Sequence, residues 1–356
     1  MKKVIVGMSG GVDSSVAALL LKEQGFDVLG VTLRLFSDDD IALADGKEFC
    51  GASGAEDAKK VADKLGIRHM VLDLSDSFRC KVMSSFADSY LHGETPNPCI
   101  ECNRHIKFGE MLERAHELGY EYVATGHYAV NEYDTEQGRW LLKRPYDKHK
   151  EQTYVLYSLT QEQLSHVIFP LGELEKARVR ELAVSAGLVN SHKPDSQDIC
   201  FVPDGKYAEF IKKFTNEEIK SGNFISGSGK VLGEHKGIIN YTIGQRKGLG
   251  ISLGKPAYVV KKDVESNTVT LGDESELYTD SLTAYNVNLI SVERLDGPMR
   301  VTAKTRYSQN EVPAIVTELG GGEYRVEFES PQRAVTSGQA VVFYDGDIVV
   351  GGGTIR

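Results

Sequence analysis

An apolar run, a glycine-rich segment and an amphipathic helical pattern follow one another at the start of this chain. The run from Lys3 to Met8 has strand length, the segment reads SGGVDSS, and the apolar residues after it recur with helical spacing until Gly25. A strand that turns through two glycines into a helix directs unpaired backbone amides and the positive end of the helix dipole at one point. The sequence therefore predicts a phosphate-binding loop, with an ordinary glycine turn before a capped helix as the alternative.

The side chains of this loop narrow the choice of ligand. Ser9, Ser14 and Ser15 can donate hydroxyl hydrogen bonds, whereas Asp13 would place a carboxylate beside the phosphates. Such a carboxylate requires Mg²⁺ or a hydrogen-bond partner that neutralises it. The GxxxxGK[ST] pattern is absent, and its imitation GSGKV at 227–231 is interpreted as a loop.

Strand and helix patterns alternate over the first 200 residues. Strands are expected at 3–8, 26–36, 69–74 and 120–130, and helices at 12–25, 55–65, 78–91 and 105–118. This alternation predicts an α/β fold with a parallel sheet covered on both faces. Ligands bind such sheets beyond the carboxyl ends of the strands, so the site is expected in the loops after Met8, Phe36 and Ala124.

After about residue 204, Gly, Ser and short strand patterns replace the helices. The segments AYVVKKD, NTVTLGD, EYRVEFE and AVVFYDGDIVV have strand length, and Asp345-Gly346 predicts a hairpin turn. We therefore expect a catalytic α/β domain at 1–204, a small and mostly β central domain at 205–280, and a C-terminal β-barrel at 281–356.

The composition restricts the protein class. No apolar run reaches membrane-spanning length, the N-terminus lacks the pattern of a signal peptide, and five cysteines in 356 residues are too few for a disulfide scaffold. A reducing, cytoplasmic compartment is expected. The net charge of −10 argues against a generally basic nucleic-acid-binding surface. Local basic clusters occur nevertheless, at 104–107, 139–150, 245–247 and 304–306.

Three cysteines lie in polar segments. Cys99 and Cys102 form a C-x-x-C pair in TPNPCIECN, and Cys200 lies in DSQDICF. We expect Pro96 and Pro98 to hold Cys99 in an extended segment outside any helix. A nearby cation favours the reactive thiolate, and three basic side chains follow the pair: Arg104, His105 and Lys107.

Several chemistries are open to these cysteines. Each could be a small buried apolar residue. Cys99 and Cys102 supply only half of a zinc site, whereas the addition of Cys200 gives three thiolates that suit an iron–sulfur cluster with one open iron. Cys80 is expected to fill space in the core or on the surface, and Cys50 is ambiguous.

Six motifs follow one another over nearly the whole chain: SGGVDSS, TPNPCxxCN, ATGHY, DSQDICF, TIGQRKGLG and KTRY. In this combination the chain resembles the tRNA-specific 2-thiouridylase family of PP-loop ATP pyrophosphatases. The resemblance implies a PP-loop catalytic domain, and a central domain and C-terminal β-barrel that help to hold tRNA. It implies an enzyme that uses ATP, Mg²⁺ and a relayed sulfur to thiolate the wobble uridine.

The resemblance also implies roles for individual residues. ATP would be bound by Gly7, Met8, Ser9, Gly10, Gly11, Val12, Asp13 and Ser14, and the adenosine site would be lined by Leu33 and Gly126. Cys102 would be the nucleophile and Cys200 the persulfide carrier. The target base would face Asn97, Pro98 and Cys99. Further contacts with tRNA are implied for His127, Lys150, Glu151, Gln152, Arg306, Tyr307 and Gln339.

Cys99 departs from the family pattern, because many members carry a catalytic aspartate at this position. Two hypotheses follow for the sulfur chemistry. In a persulfide relay, Cys200 delivers the sulfur and Cys102 resolves the product as a disulfide. Alternatively, Cys99, Cys102 and Cys200 hold a [4Fe–4S] cluster whose open iron carries the sulfur. In either case, a cysteine desulfurase or sulfur-relay protein is the expected partner.

Two rival functions share part of these features. Another PP-loop ligase or amidotransferase would explain SGGVDSS and leave the cysteines without a role. A non-catalytic, nucleotide-binding RNA adaptor would bind both ligands without releasing pyrophosphate. The local basic clusters predict a tRNA affinity that falls steeply with salt.

Overall fold

A parallel five-stranded sheet organises the first part of the computed structural model, which describes residues 1–37, 40, 52–195, 199–202 and 205–356. Its strand order is β3-β2-β1-β4-β7. The strands are β1 (Lys3–Gly7), β2 (Asp27–Arg34), β3 (Arg68–Asp73), β4 (Tyr122–Ala124) and β7 (Val167–Ile168). The order reverses between β1 and β4, and a crevice opens at such a switch point beyond the strand ends. The loop SGGVDSS leaves β1 there, and ATGHY leaves β4. The predicted α/β class and parallel sheet are confirmed.

Helices connect these strands. They are α1 (Val12–Glu23), α2 (Ala52–Leu65), α3 (Ser75–Phe78), α4 (Ser85–Leu91), α5 (Pro98–Glu101), α6 (Met111–Glu117), α7 (Gln161–Ser165), α8 (Lys176–Ser185) and α9 (Tyr207–Thr215). π-Helical segments join α3 to α4 (Arg79–Ser84) and α5 to α6 (Cys102–Glu110). Short 3₁₀ turns occupy Lys148–Lys150, Thr153–Val155, Ile238–Asn240 and Glu274–Leu277.

Two predicted boundaries are wrong. The helix expected from residue 105 begins at Pro98, so Cys99 lies inside α5 and not in an extended segment. Proline is compatible with the first helical position because its missing N–H would have no partner there, and the side chain of Asn97 caps this end. The strand expected over 120–130 ends at Ala124, because ATGHY turns away from the sheet.

A second, four-stranded sheet follows α9 in the order β10-β11-β8-β9. Its strands are β8 (Gly222–Ser226), β9 (Val231–His235), β10 (Tyr258–Asp263) and β11 (Thr268–Gly272). The GSGKV segment forms the turn between β8 and β9, as expected for a loop. Phe224 and Val259 of this sheet share one apolar cluster with Phe86 of α4, so the small sheet packs against the helices that flank the cysteines.

The last six strands close into a barrel. They are β12 (Tyr278–Leu289), β13 (Met299–Lys304), β14 (Val312–Gly320), β15 (Glu323–Arg333), β16 (Ala340–Asp345) and β17 (Ile348–Ile355). Pairing of β12 with both β15 and β17 closes the ring. The predicted C-terminal β-barrel and the Asp345-Gly346 hairpin are confirmed.

A hairpin from the first part of the chain extends the barrel sheet. Strands β5 (Val130–Asp134) and β6 (Arg139–Lys143) pair with each other, and Lys143 pairs with Ile348 of β17. The apolar cluster around Ile5 and Phe108 continues through Tyr154 into Val342 of the barrel. The α/β domain and the barrel thus share both a sheet and a core.

Candidate active site

The loop after β1 has the backbone geometry that its sequence predicts. Gly10 adopts the left-handed conformation with φ of +74°, and a Cβ added there would lie 2.7 Å from Cα of Gly54. The hydroxyls of Ser14 and Ser15 donate to the carbonyl of Gly11 over 3.2 and 2.9 Å. These bonds hold the loop against the first turn of α1.

A buried asparagine forms hydrogen bonds with the glycine-rich loop. Asn190, which is 4% exposed, donates from Nδ2 to the carbonyl of Gly10 over 3.0 Å and to Oγ of Ser15 over 2.9 Å. One side chain therefore holds two points of the loop. Asn190 was not predicted from the sequence, because it belongs to no local motif and lies 180 residues from Gly10.

Gly126 of ATGHY closes onto the same loop. A Cβ built on Gly126 would lie 2.7 Å from the carbonyl carbon of Asp13 and 2.7 Å from the amide nitrogen of Ser14. Only glycine allows this approach. The structure therefore brings together the residues of β1, α1 and ATGHY that are predicted to bind the nucleotide. Leu33 lies near the end of the neighbouring strand β2.

The loop carboxylate has an ion-pair partner, Lys176, and a hydrogen-bond donor, Tyr128. Lys176 at the start of α8 reaches Oδ1 and Oδ2 of Asp13 over 2.7 and 2.8 Å, and the Tyr128 hydroxyl donates to Oδ1 over 2.9 Å. Burial, followed by the Asp13 carboxylate, raises the pKa of Tyr128 far above its usual range. The expected hydrogen-bond partner of Asp13 is therefore present, and Lys176 is a site residue that sequence reasoning missed.

The two cysteines of the C-x-x-C pair lie at the start of a helix, and their environments differ. Asn97 caps α5 by accepting from the Cys99 amide over 3.1 Å. Cys99 is exposed, whereas Cys102 is 7% exposed and sits in an apolar cluster with Met83 and Ile106. Burial raises the pKa of Cys102 to about 11, against a smaller lowering by Lys107.

The expectation that three nearby cations would favour the thiolate is wrong for this structure. Arg104 and His105 both turn to Glu101, over 3.1 and 3.2 Å. Only Lys107 lowers the pKa of Cys102, and burial outweighs it. Cys102 is therefore held as a neutral thiol until its surroundings change.

Aromatic contacts hold the segment that carries Cys200. Phe201 is buried and packs edge-on against Phe86 at a ring distance of 5.2 Å, and Phe210 of α9 lies 5.2 Å from Phe201. Cys200 packs against the same apolar cluster that contains Cys102. The two cysteines thus line one cluster, although 98 positions separate them.

The cysteines do not form the ligand set of a metal cluster. Among residues 1–37, 40, 52–195, 199–202 and 205–356, no three Cys, His, Asp or Glu side chains are placed to hold a metal ion. Cys99 faces solvent while Cys102 is sealed in an apolar cluster, so the hypothesis of a cluster held by Cys99, Cys102 and Cys200 does not fit. Cys80 is exposed, which agrees with the expectation of a residue that fills space in the core or on the surface. Cys50 lies outside the described residues.

Several residues predicted to contact tRNA lie between the α/β domain and the barrel. Glu151 is partly buried and accepts from Lys304 of β13 over 3.1 Å, and its carbonyl accepts from the Tyr307 hydroxyl over 3.1 Å. Gln152 and Tyr128 exchange hydrogen bonds of 2.9 and 3.1 Å. Arg306 donates to the carbonyls of Ile243 and Ala334. Their contacts with tRNA remain predictions.

His127 is nearly buried beside the cysteine helix. Its Nδ1 lies 2.7 Å from the Thr125 hydroxyl, and its ring packs on Phe108 and Phe169. Burial and the charge of Lys107 lower the pKa of His127 well below its usual range. The ring is therefore neutral and its protein partner is Thr125, and its contact with tRNA stays a prediction.

The barrel holds the backbone that leads to the cysteines. Gln339 donates from Nε2 to the Thr95 carbonyl over 2.7 Å, and the Thr95 amide donates to the Ser337 carbonyl over 2.9 Å. Gly338 between them approaches Glu94 so closely that a Cβ would lie 2.8 Å from its Cβ. Residues 94–95 are thus clamped by the barrel immediately before Asn97, Pro98 and Cys99.

Most cations of the predicted basic clusters have acidic partners. Arg144 pairs with Glu311, Lys143 with Glu132 and Lys148 with Asp347. In the described part of the chain, Arg246 and Lys247 are exposed and form no ion pair. Within the same residues, no helix has the length and apolar character needed to cross a membrane.

Comparison with known proteins covers the chain from end to end. Family profiles described as "tRNA methyl transferase HUP domain", "tRNA methyl transferase PRC-barrel domain" and "Aminomethyltransferase beta-barrel domain" match residues 2–204, 208–273 and 279–355. The chain is 57% identical over 355 residues to tRNA-specific 2-thiouridylase MnmA 1 of Thermoanaerobacter sp. (strain X514), covering 99% of this chain and 98% of the relative.

Two other relatives also match this chain over nearly their full length. The tRNA-specific 2-thiouridylase MnmA of Acetivibrio thermocellus is 54% identical over 357 residues, covering 100% of this chain and 99% of the relative. That of Clostridioides difficile (strain 630) is 52% identical over 355 residues, covering 100% and 98%. The chain belongs to the tRNA-specific 2-thiouridylase family. The resemblance that the six sequence motifs indicated is thereby confirmed, and the 2-thiouridylase relatives span the loop, the cysteine helix and the barrel alike.

Proposed function

We propose that this protein is an ATP-dependent tRNA-uridine 2-sulfurtransferase that thiolates the wobble uridine. The observation that carries the proposal is the position of Lys176, which bonds Asp13 of the glycine loop and, over 2.8 Å, Asp195. Asp195 lies five residues before Cys200. One side chain therefore bonds both the nucleotide loop and a carboxylate that lies shortly before Cys200 in the sequence.

The three modules divide this work in the proposal. Residues 1–204 form the catalytic PP-loop domain, residues 205–280 the central domain, and residues 281–356 the barrel. The central domain and the barrel both contact the segment around the cysteine pair, which supports a role in presenting tRNA to it. A reducing cytoplasmic setting accords with the free thiols of Cys80, Cys99 and Cys102.

In the proposal, the loop from Gly7 to Ser14 binds ATP. Its amides and the start of α1 suit the phosphates of ATP, and Gly126 with Leu33 flanks the space for adenosine. Magnesium bound to a nucleotide needs only one or two carboxylates beside phosphate oxygens. Asp13 is such a carboxylate, and it would hold the ion in place of Lys176, which contacts both of its oxygens in this structure. Mg²⁺ held there would offset the charge that develops on the departing pyrophosphate.

The reaction begins with activation of uracil. Its O2 attacks the α-phosphate of ATP and pyrophosphate leaves, so the oxygen later departs as part of AMP. The terminal sulfur of a Cys200 persulfide then bonds to C2, AMP leaves and the S–H proton is released. The Cys102 thiolate attacks Sγ of Cys200, which forms a disulfide and leaves the transferred sulfur on the base as 2-thiouridine.

The cycle closes with two partners. A dithiol reductant supplies the two electrons that return the disulfide to thiols. A cysteine desulfurase or sulfur-relay protein then reloads Cys200 with sulfur. No step of this mechanism uses an iron–sulfur cluster, because the described side chains do not form a set of ligands for one.

Nucleoside mass spectrometry tests the proposal. Unmodified tRNA is incubated with the protein, ATP, Mg²⁺, cysteine, a cysteine desulfurase and a thiol reductant, and 2-thiouridine is expected. Cys102→Ser and Cys200→Ser should abolish the product, whereas Cys80→Ser, which removes an exposed thiol elsewhere, should not.

Two outcomes would favour the rivals. Pyrophosphate release that survives Cys200→Ser, together with a product other than thiolated tRNA, would indicate another PP-loop ligase. Binding of tRNA and ATP without any pyrophosphate release would indicate an RNA adaptor.

A further inference from the structure

Lys107 is a cation without an anionic partner beside the cysteine pair. It is half-buried and lies in the π-helical segment Cys102–Glu110. Arg104 and His105 of the same segment both bond to Glu101. The Lys107 ammonium group, in contrast, forms no hydrogen bond or ion pair with any residue in the described part of the chain. No side chain there offsets its charge by direct contact.

The π-helical backbone directs this cation to the side of the helix that carries Cys102. Hydrogen bonds in a π-helix join residues five apart, so such residues lie on one side of it. In an α-helix they would point about 140° apart around the axis. The charge of Lys107 accordingly acts to lower the pKa of Cys102, against the larger effect of burial, and it also lowers the pKa of His127. One ammonium group thus lies near both the buried thiol and the neutral imidazole.

Contacts continue from this region to the nucleotide loop. Phe108, the residue after Lys107, packs on the ring of His127 with 5.8 Å between the ring centres. Gly126, the residue before His127, approaches the backbone of SGGVDSS so closely that an added Cβ would lie 2.7 Å from it. Lys107 therefore belongs to the series of contacts that joins the cysteine helix to the glycine-rich loop.

A partly buried charge without a partner costs folding free energy unless a ligand supplies the opposite charge. The two groups near Lys107 do not supply it, because Cys102 is a neutral thiol and His127 a neutral ring in this structure. In the proposed reaction, the phosphates of ATP bring negative charge into this region. The α-phosphate is the one that must meet uracil O2, so it is the one that must approach the cysteine side of the loop.

We infer that Lys107 is a catalytic residue that binds a non-bridging oxygen of the α-phosphate while the adenylyl group passes from ATP to uracil O2. In that step the bond from O2 to phosphorus forms, the bond from phosphorus to pyrophosphate breaks, and pyrophosphate leaves with the electron pair. The ammonium group offsets the charge of the α-phosphate oxygens, which would otherwise repel the attacking oxygen. This inference rests on the proposed function and assigns Lys107 to a step that precedes sulfur transfer.

Pyrophosphate release without a sulfur donor isolates this step. The full-length protein is mixed with tRNA, ATP and Mg²⁺, and the first turnover of pyrophosphate release is followed. We expect Lys107→Met to lower its rate by about a hundredfold, as the loss of one preorganised donor does. Lys107→Arg keeps a cation and should remain within about tenfold of the wild type. The Kd for tRNA should change little in either variant.

Two controls separate this role from others. Lys81→Met removes a lysine of the neighbouring π-helical segment, 4.0 Å from Glu110, and should leave the rate unchanged. Whatever Cys102→Ser does by itself, adding Lys107→Met to it should still lower the rate by about a hundredfold, because the effect acts on the phosphate and not through the thiol.

Stability distinguishes a catalytic from a structural lysine. Lys107→Met replaces an unpaired charge by an apolar chain of similar length, so the midpoint of urea unfolding should not fall. If Lys107→Met does not fold, Lys107→Gln also removes the charge and should slow pyrophosphate release in the same way.

The inference is overturned if Lys107→Met releases pyrophosphate at the wild-type rate, or if Lys107→Arg is as slow as Lys107→Met. It is also overturned if the effect of Lys107→Met disappears in the Cys102→Ser background, which would assign Lys107 to the thiol alone. A wild-type protein that releases pyrophosphate but forms no 2-thiouridine would contradict the proposed function and leave the test of Lys107 intact. No pyrophosphate release from the wild type would overturn both.

Discussion

Gln339 and Thr95 are joined by a hydrogen bond of 2.7 Å from the side-chain amide of the first to the carbonyl of the second. The bond crosses from the barrel to the backbone four residues before Cys99. A barrel that serves only as a surface for tRNA would have no need of this contact. The geometry makes Gln339 a candidate for positioning the cysteine helix, in addition to the tRNA contact predicted from its motif.

Gln339→Leu separates these two roles. Loss of the bond to Thr95 should lower the single-turnover rate of thiolation by about tenfold, since small displacements of reacting groups are costly. The Kd for tRNA, measured by filter binding, should change little. Gln137→Leu, at an exposed turn between β5 and β6, is the control. Weaker tRNA binding at an unchanged rate would instead assign Gln339 to tRNA.

Gly126→Ala tests the contact between ATGHY and the nucleotide loop. The added methyl group would lie 2.7 Å from backbone atoms of Asp13 and Ser14, so the loop must move. We expect the KM for ATP in pyrophosphate release to rise by about tenfold or more. Gly297→Ala is the matched control, because nothing lies within 4 Å of its Cβ position. An unchanged KM for Gly126→Ala would show that the loop does not bind ATP in this form.

The reactivity of Cys102 should increase with pH well into the alkaline range. Burial raises its pKa to about 11, so the thiolate fraction grows about tenfold per pH unit below that value. Alkylation by iodoacetamide, followed by peptide mass spectrometry with Cys80 as internal reference, gives the profile. Lys107→Met removes the cation that lowers this pKa and should shift the profile to higher pH, whereas Lys107→Arg should not. A plateau for Cys102 below pH 9 would contradict the assignment.

The partly buried pair between Glu151 and Lys304 should contribute to stability in a non-additive way. Their side chains are 8% and 14% exposed, so Glu151→Gln removes the carboxylate partner of a partly buried ammonium group and should cost about 2 kcal/mol in urea unfolding. Adding Lys304→Met should recover part of that loss. Asp296→Asn breaks a pair with Arg294 that is about 80% exposed, and should cost less than about 1 kcal/mol. Equal effects of the buried and exposed substitutions would argue against this interpretation.

Arg246 and Lys247 should carry part of the salt dependence of tRNA binding. Both are exposed and form no ion pair within the described ranges, so each is available to a phosphate. Arg246→Gln with Lys247→Gln should reduce the slope of log Kd against log salt by about 1.4, near 0.7 per contact. Lys143→Gln, whose lysine already pairs with Glu132, should change it less. An unaltered slope would exclude this turn from the tRNA surface.

The sequence predicted features that are local. The loop after β1, the order of strands and helices, the hairpin at Asp345-Gly346 and the closed barrel were all expected, because each depends on periodicity or turn residues within a short window. The start of α5 was missed for a local reason as well. Proline usually breaks a helix, but Pro98 occupies the first helical position, where its missing N–H costs nothing and its fixed φ suits the helix.

The missed site residues depend on contacts between distant parts of the chain. Lys176 lies 163 positions from Asp13 and Asn190 lies 180 from Gly10, and neither belongs to a recognisable motif. The protonation state of Cys102 was misjudged because neighbours in sequence were counted as neighbours in space. Arg104 and His105 turn to Glu101, and burial decides the pKa.

The β5–β6 hairpin makes the last domain inseparable from the first. A chimera that exchanged only residues from 278 onward between two relatives would match one parent's β6 with the other parent's β17. A truncation before that point would leave the edge of β6 unpaired and open to strand addition by another chain. Domain swaps in this protein should therefore move residues 130–143 together with the barrel.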